Sequence, residues 1–119
     1  MLVFFFIYVQ LFAQTFEYSS NCKNAYQGIY KLKINEGLQW IELEKKENPK
    51  NLLPYFIENH ADFIKLFIND NRSLYESIKP KIETRLEKLK YGDEKSPILL
   101  YTQAEIHLQW AFCKIKFGE

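Results

Sequence analysis

Two histidines, two cysteines and a mixed run of glutamates and lysines are the residues of this 119-residue chain whose types most invite chemistry. A metal centre or an acid–base pair needs several such groups brought together, and the spacing works against it. His60 falls on an apolar stripe, with Glu58 and Asp62 at offsets that turn to other faces. That setting favours a packed, hydrogen-bonded imidazole over a ligand or base. His107, beside Glu105 and Leu108, lies at the edge of a second stripe and reads the same way. The two imidazoles share a groove only if the segments that carry them touch. Glu83 and Glu87 are four residues apart on one helical face, but Lys79, Arg85 and Lys88 surround them as on a solvated surface. Glycine-rich phosphate loops, Gly-x-Ser-x-Gly elbows and paired catalytic carboxylates do not occur. The expectation is a chain with no catalytic residue, no cofactor and no metal. Asn71-Arg72-Ser73 matches an N-glycosylation acceptor, a triplet common by chance.

Cys22 and Cys113 have no neighbour at metal-ligand spacing, which argues against zinc. In an oxidising compartment they could pair, tying the start of the first long helix to the end of the last. The alternative is two buried or half-buried thiols. Cys22 is no lipid-attachment site, because Ser19-Ser20-Asn21 lacks a small apolar lead-in.

Composition bounds the rest. The chain is 47% hydrophobic, and 16 Lys and Arg stand against 15 Asp and Glu, leaving a net charge of +1. So small a net charge creates no field that would steer it to nucleic acid or to an anionic membrane. Four glycines and four prolines are too few for a turn-rich β protein. One domain is the expectation at this length.

The elements that must position these residues read as four helices. Over 22–47, Tyr26, Ile29, Tyr30, Ile34, Leu38 and Ile41 recur at helical spacing, with Trp40 and Leu43 widening the face. Gly37 interrupts that helix at a cost of roughly 1 kcal/mol and would admit a close neighbour. Asn48-Pro49 ends it. A second helix, 52–68, carries Leu53, Phe56, Ile57, His60, Phe63, Ile64 and Phe67, with Asn51 as a cap. It is apolar over so much of its circumference that it should be central. A third, 72–91, has the narrow stripe of Leu74 or Tyr75, then Ile78, Ile82, Leu86 and Leu89, and Pro80 predicts a kink or split near 77–79. Ser96-Pro97 starts a fourth, 97–117, with the stripe Tyr101, Ala104, Leu108, Ala111, Phe112 and Ile115. The fold class is all-α: four main helices as two antiparallel helical hairpins, either a bundle or the start of an α-solenoid.

Met1 to Ala13 holds no charged side chain. The run is shorter than the roughly 20 residues that cross a bilayer as a helix. It reads as a signal peptide cut near Ala13–Gln14, or as an apolar anchor or a buried first helix. Export to the periplasm or cell envelope follows from the first of these. Membrane contact is then confined to residues 1–13 if they stay in place, and residues 22–119 form the helical domain.

Ala104 to Glu119 resembles the first helix of a tetratricopeptide repeat. Ala104, Leu108, Ala111, Phe112 and Gly118 occupy its small, leucine, small, aromatic and terminal glycine places. The segment from about Ala25 to Ile98 resembles the leading helices of exported bacterial proteins of that type. The resemblance implies a protein-binding scaffold rather than an enzyme, with another protein or downstream repeats of the same chain as partner. The stop at Phe117-Gly118-Glu119, directly after a helix, has the pattern of a truncated domain. Trp40 and Trp110 lie off the centres of their stripes, which suits an interface; for Trp110 the alternative is contact with the 52–68 helix. A second reading of the whole chain is a self-contained four-helix bundle that binds a small molecule or a metal through His60 and His107.

Overall fold

The computed structural model describes residues 14–119. The apolar segment 1–13, read above as a leader or anchor, lies outside the described residues. Five α-helices make up the described chain: α1 Ser20–Tyr30, α2 Ile34–Glu47, α3 Leu53–Ile68, α4 Arg72–Leu89 and α5 Pro97–Lys116. It has no β-strand, only one isolated parallel bridge between Thr15 and Asn51. The all-α expectation holds, and the count of four does not.

The extra helix comes from a break inside the segment 22–47. At Lys31–Lys33 the chain ends α1 with two bonds that reach back into it. The Lys33 amide donates to Gly28 O at 2.8 Å, and the Leu32 amide donates to Ile29 O at 3.0 Å. This is the Schellman pattern, which requires a left-handed residue at the turn. Leu32 supplies it with φ 61°. The same motif closes α5 after Phe117, where Gly118 takes the left-handed position with φ 76° and the Glu119 amide donates to Lys114 O.

Two glycines let α1 and α2 pack closely. A Cβ on Gly37 would lie 2.7 Å from Ile29 Cγ1 and 2.8 Å from Ala25 O. One on Gly28 would lie 3.3 Å from the Gly37 amide nitrogen. The close neighbour expected at Gly37 is therefore α1 itself.

The apolar circumference of α3 makes it the hub, as its sequence predicts. It contacts α1, α2, α4 and α5. Phe56, Ile57, Ala61 and Leu66 are buried there against Ile29 and Ile41 of the first pair and against Ile78, Ile82 and Ile106 of the last. Each of these side chains larger than Ala61, fully removed from water, contributes about 1.5–3 kcal/mol before entropy is set against it. The narrow stripe of α4 is buried as expected at Tyr75, Ile78, Ile82 and Leu89. The split expected at Pro80 is absent: α4 runs unbroken, with Pro80 exposed and buried residues of the stripe on either side of it.

Two polar clusters lie inside this frame. Asn51 ties the N-terminal segment to α2. Its Oδ1 accepts from the Glu17 and Leu53 amides, and its Nδ2 donates to Glu17 O and to Glu44 Oε2. The other joins α3 to α4, where Arg85 Nη2 donates to Asp62 Oδ2 at 2.6 Å in a buried ion pair.

Candidate functional site

The helix that resembles a tetratricopeptide segment is turned the other way from its expected stripe. Leu99, Thr102, Ile106, Gln109 and Cys113 form the buried face of α5. Tyr101, Ala104, Leu108, Ala111, Phe112 and Ile115, the stripe read from sequence as core, are all exposed. Leu108 is 51% exposed and Ile115 is 74% exposed. At about 100° per residue the two sets occupy opposite sides of the helix. α5 thus carries two apolar stripes, and the sequence pattern picked out the outer one. Tyr101, Leu108 and Ile115, seven apart, make a ridge along this face, with Ala104 and Ala111 as the low positions beside it. Such a relief accepts the side chains of another helix.

Near the N-terminal end of α5 the face runs into a cavity. Phe16 and Tyr18, with Tyr26 of α1, Leu53, Phe56 and Ile57 of α3, and Ile98, Tyr101 and Thr102 of α5, enclose about 390 Å³ of almost wholly apolar space. Ile98 and Tyr101 belong both to the cavity wall and to the outer face. Thr102 adds little polarity, because its hydroxyl already donates to Leu99 O at 3.0 Å.

His60 sits beside this region and is held by aromatic rings. Tyr26 stacks on it at 5.2 Å between centroids with 9° between planes, and Tyr30 lies at 5.6 Å. Gln109 of α5 fixes the ring through a 3.1 Å contact between Nε2 and His60 Nδ1, while Gln109 Oε1 accepts from Asn59 Nδ2 at 2.9 Å. His60 Nε2 is buried with no hydrogen-bond partner among the described residues. Burial pushes the imidazole below its ordinary pKa, and the Glu105 carboxylate opposes that only in part. The packed histidine is the reading the geometry bears out, although one of its nitrogens is left unsatisfied. The Asn59–Gln109 pair gave no sequence signal, since neither residue marks chemistry and both sit where an apolar core is expected.

His107 does not join it. It is exposed, and lies about 200° around α5 from Gln109, which faces His60. α3 and α5 do touch, yet the shared groove for two imidazoles does not form. Among the described residues no group of three or more His, Cys, Asp and Glu side chains is placed to hold a metal ion.

The two cysteines are free and buried. Cys22 lies by Asn51, whose Nδ2 is 3.7 Å from its sulfur, with Ser19 Oγ accepting from its amide. Cys113 packs with Leu66, Ile78 and Trp110. The disulfide considered between them is not formed, because the two thiols occupy separate environments. Burial raises the pKa of both, and the Glu44 carboxylate adds to the effect at Cys22.

The tryptophans separate. Trp110 is half-buried and stacks on Tyr75 of α4 at 5.2 Å, next to the Tyr75–Phe117 stack at 4.4 Å. It also borders a small void lined by Asn59, Asp62 and Phe63 of α3. Trp110 thus packs against the core, with its ring contact made to α4. Trp40 is 38% exposed on α2 beside Gln39 and Leu43, on a shallow surface far less apolar than that of α5.

None of the described helices is long and apolar enough to cross a membrane. No family model matches the chain, and no curated protein or solved structure matches it.

Proposed function

We propose that this chain is a non-enzymatic helical interaction module of tetratricopeptide-like type, the leading part of an α-solenoid, which holds an apolar-faced helix of another protein against the outer face of α5. One observation carries the reading: α5 has apolar side chains on two opposite sides, and among the described residues only one of these sides is covered. A helix apolar all round is ordinarily covered all round, because each exposed side chain of that size forgoes about 1.5–3 kcal/mol of burial. The contiguous relief of ridge and small residues suits a helix. The adjoining cavity suits one bulky apolar anchor from the same partner, the arrangement that concentrates binding energy. In this reading residues 1–13 are the export signal.

Photocross-linking tests the interaction. A photoreactive residue at Leu108 or Ala111 of the full-length protein should give adducts in cells of its source, with the linked peptide mapping to an amphipathic helix of a second protein. The same residue at Thr84 on the exposed side of α4 should give none, and Ala104→Glu should abolish the Leu108 adduct. Equal labelling from Thr84, or adducts only to a second copy of this chain, would overturn the proposal. N-terminal sequencing checks the leader, with Gln14 expected as the first residue of the mature protein.

A small-molecule role has one support, the apolar cavity itself. Competition separates it from protein binding. An apolar ligand that saturates at one site and leaves the cross-link intact would favour the small molecule.

A further inference from the structure

On the side of α3 away from α5, a second depression has the opposite character. It measures about 440 Å³ and lies where α2, α3 and α4 meet. Four cations line it, Lys45 of α2 with Lys81, Arg85 and Lys88 of α4, against one lining carboxylate, Glu58. Widening the count to the groups paired with these adds Lys65, Asp62 and Glu42, which makes five cations and three carboxylates. The whole chain carries only +1, so this region holds more positive charge than the molecule does on balance.

The cations are unequally committed. Lys45 is spent on Glu58 and Glu42. Arg85, 8% exposed, is anchored by Asp62 through Nη2 and lies 3.6 Å from Glu58 through Nε, yet its Nη1 is buried with no partner among the described residues. Lys81 and Lys88 have no carboxylate within ion-pair distance among the described residues. Lys88 rests instead over the Tyr55 ring at 6.0 Å, with Lys45 over the same ring at 4.8 Å. Like charges gathered around one concavity repel each other, and a bound anion relieves that.

We infer that this depression is a binding site for a phosphate monoester. A phosphoryl dianion matches the surplus charge, and its three oxygens offer two ammonium groups, two turns apart on α4, more acceptors than the two oxygens of a carboxylate. Lys81 and Lys88 are the ligands with free donors, and Lys45 and Arg85 set the potential. Tyr55 and Pro80 supply an apolar wall for the organic part of the ester. The monoester could belong to a small metabolite or to a lipid headgroup; the chemistry is the same. The inference does not depend on the α5 face, which lies elsewhere on the molecule.

Calorimetric titration of the full-length protein at fixed ionic strength is the test, with ribose 5-phosphate as the soluble probe. Phosphatidylcholine vesicles with and without phosphatidic acid are the lipid arm. The double variant Lys81→Gln/Lys88→Gln removes two exposed side chains and leaves the buried Arg85–Asp62 pair intact, so it should fold. It should weaken binding at least about tenfold, while Lys23→Gln/Lys31→Gln, with the same loss of charge on α1, should change it less than about twofold. Saturable binding in either arm with that contrast supports the site and assigns the source. Failure of both probes to bind, or an equal loss in the two double variants, overturns it.

Discussion

Asn51 Nδ2 donates to Glu44 Oε2 at 2.9 Å, and the two side chains are almost wholly buried, 1% and 2% exposed. The carboxylate also accepts from Ser19 Oγ at 2.7 Å and from Asn21 Nδ2 at 3.3 Å. Asn51 in turn satisfies the backbone of Glu17 on both its amide and its carbonyl. One side chain therefore joins the N-terminal segment, α2 and the start of α3. Replacing Asn51 by Ala leaves a buried carboxylate short of a donor and strands three backbone groups, the Glu17 amide and carbonyl and the Leu53 amide. The expected loss is about 2–4 kcal/mol. Asn51→Asp should cost at least as much, since it sets a second carboxylate against Glu44. Urea unfolding checks both, and a shift of the Ala variant below about 0.5 kcal/mol would show that the cluster is incidental.

Gly37 sets helix propensity against packing. Alanine there gains about 1 kcal/mol of intrinsic helix preference. Its methyl group, however, meets Ala25 O at 2.8 Å, which is backbone and cannot step aside as a side chain can. Overpacking of this kind costs about 1–3 kcal/mol, so Gly37→Ala should destabilise the protein on balance, by about 1 kcal/mol. A thermal melt that rises instead would mean that α1 and α2 can move apart freely.

Leu32 works in the opposite direction. It holds a left-handed conformation that costs a side-chain-bearing residue about 1 kcal/mol, and it buries little, being mostly exposed. Gly118 performs the same turn at the end of α5 without that strain. Leu32→Gly should raise stability by roughly 0.5–1 kcal/mol, read as a higher urea midpoint with an unchanged slope. Leu32→Val, stiffer at that φ, should lower it.

Leu32 also shows why one element escaped the sequence. The break after α1 carries none of the usual punctuation: residues 31–33 are Lys-Leu-Lys, and the apolar spacing runs on from Tyr30 to Ile34. The turn is imposed by the fit of Gly28 to Gly37, a contact between residues that no local pattern reports. The ends of α2 and α3 and the starts of α4 and α5 were legible because Pro49, the Asn69–Asn71 stretch and Pro97 each act on their own backbone, although the Ser96 side chain makes no capping bond. Asn71, for instance, accepts from the Leu74 amide. The stripe of α4 was legible because its other faces are charged. α5 has apolar residues on two sides, so periodicity alone could not say which side is core. The buried roles of Asn51, read only as a cap, and of Asn59 and Gln109 were not legible for the same reason: their partners lie 34 and 50 residues away.

His60 gives the molecule an acid sensitivity of predictable sign. Its folded pKa lies below the ordinary 6.5 because burial disfavours the imidazolium. Tyr26, Tyr30 and Phe63 surround the ring, and among the described residues the Glu105 carboxylate is the charge that acts on it. Below the unfolded value the unfolded chain binds a proton that the folded chain resists. Stability from this group is therefore complete above about pH 6.5 and is lost as pH falls toward the depressed folded value. Melting curves between about pH 7.5 and pH 5.5 should show a smaller decline for His60→Gln than for the parent protein. Carboxylates titrate alike in both, so the difference isolates the imidazole. Parallel declines would place the His60 ring in water.

The orientation of α5 decides whether an outer face exists at all, and substitutions on its two sides can read it directly. Ile106 is fully buried, whereas Leu108 and Ile115 are largely exposed. Ile106→Ala should therefore cost about 2–5 kcal/mol, the range for an aliphatic side chain removed from a packed core. Leu108→Glu and Ile115→Glu should each change stability by less than about 0.5 kcal/mol, because their carboxylates enter water rather than protein. The same two glutamates should abolish partner adducts at Ala111 through desolvation of the new charge under a docked helix. A variant that loses binding while keeping its unfolding midpoint separates recognition from folding. Were Leu108→Glu to unfold the protein and Ile106→Ala to leave it intact, the helix would be rotated by half a turn. The alanine-lined groove would then belong to the core.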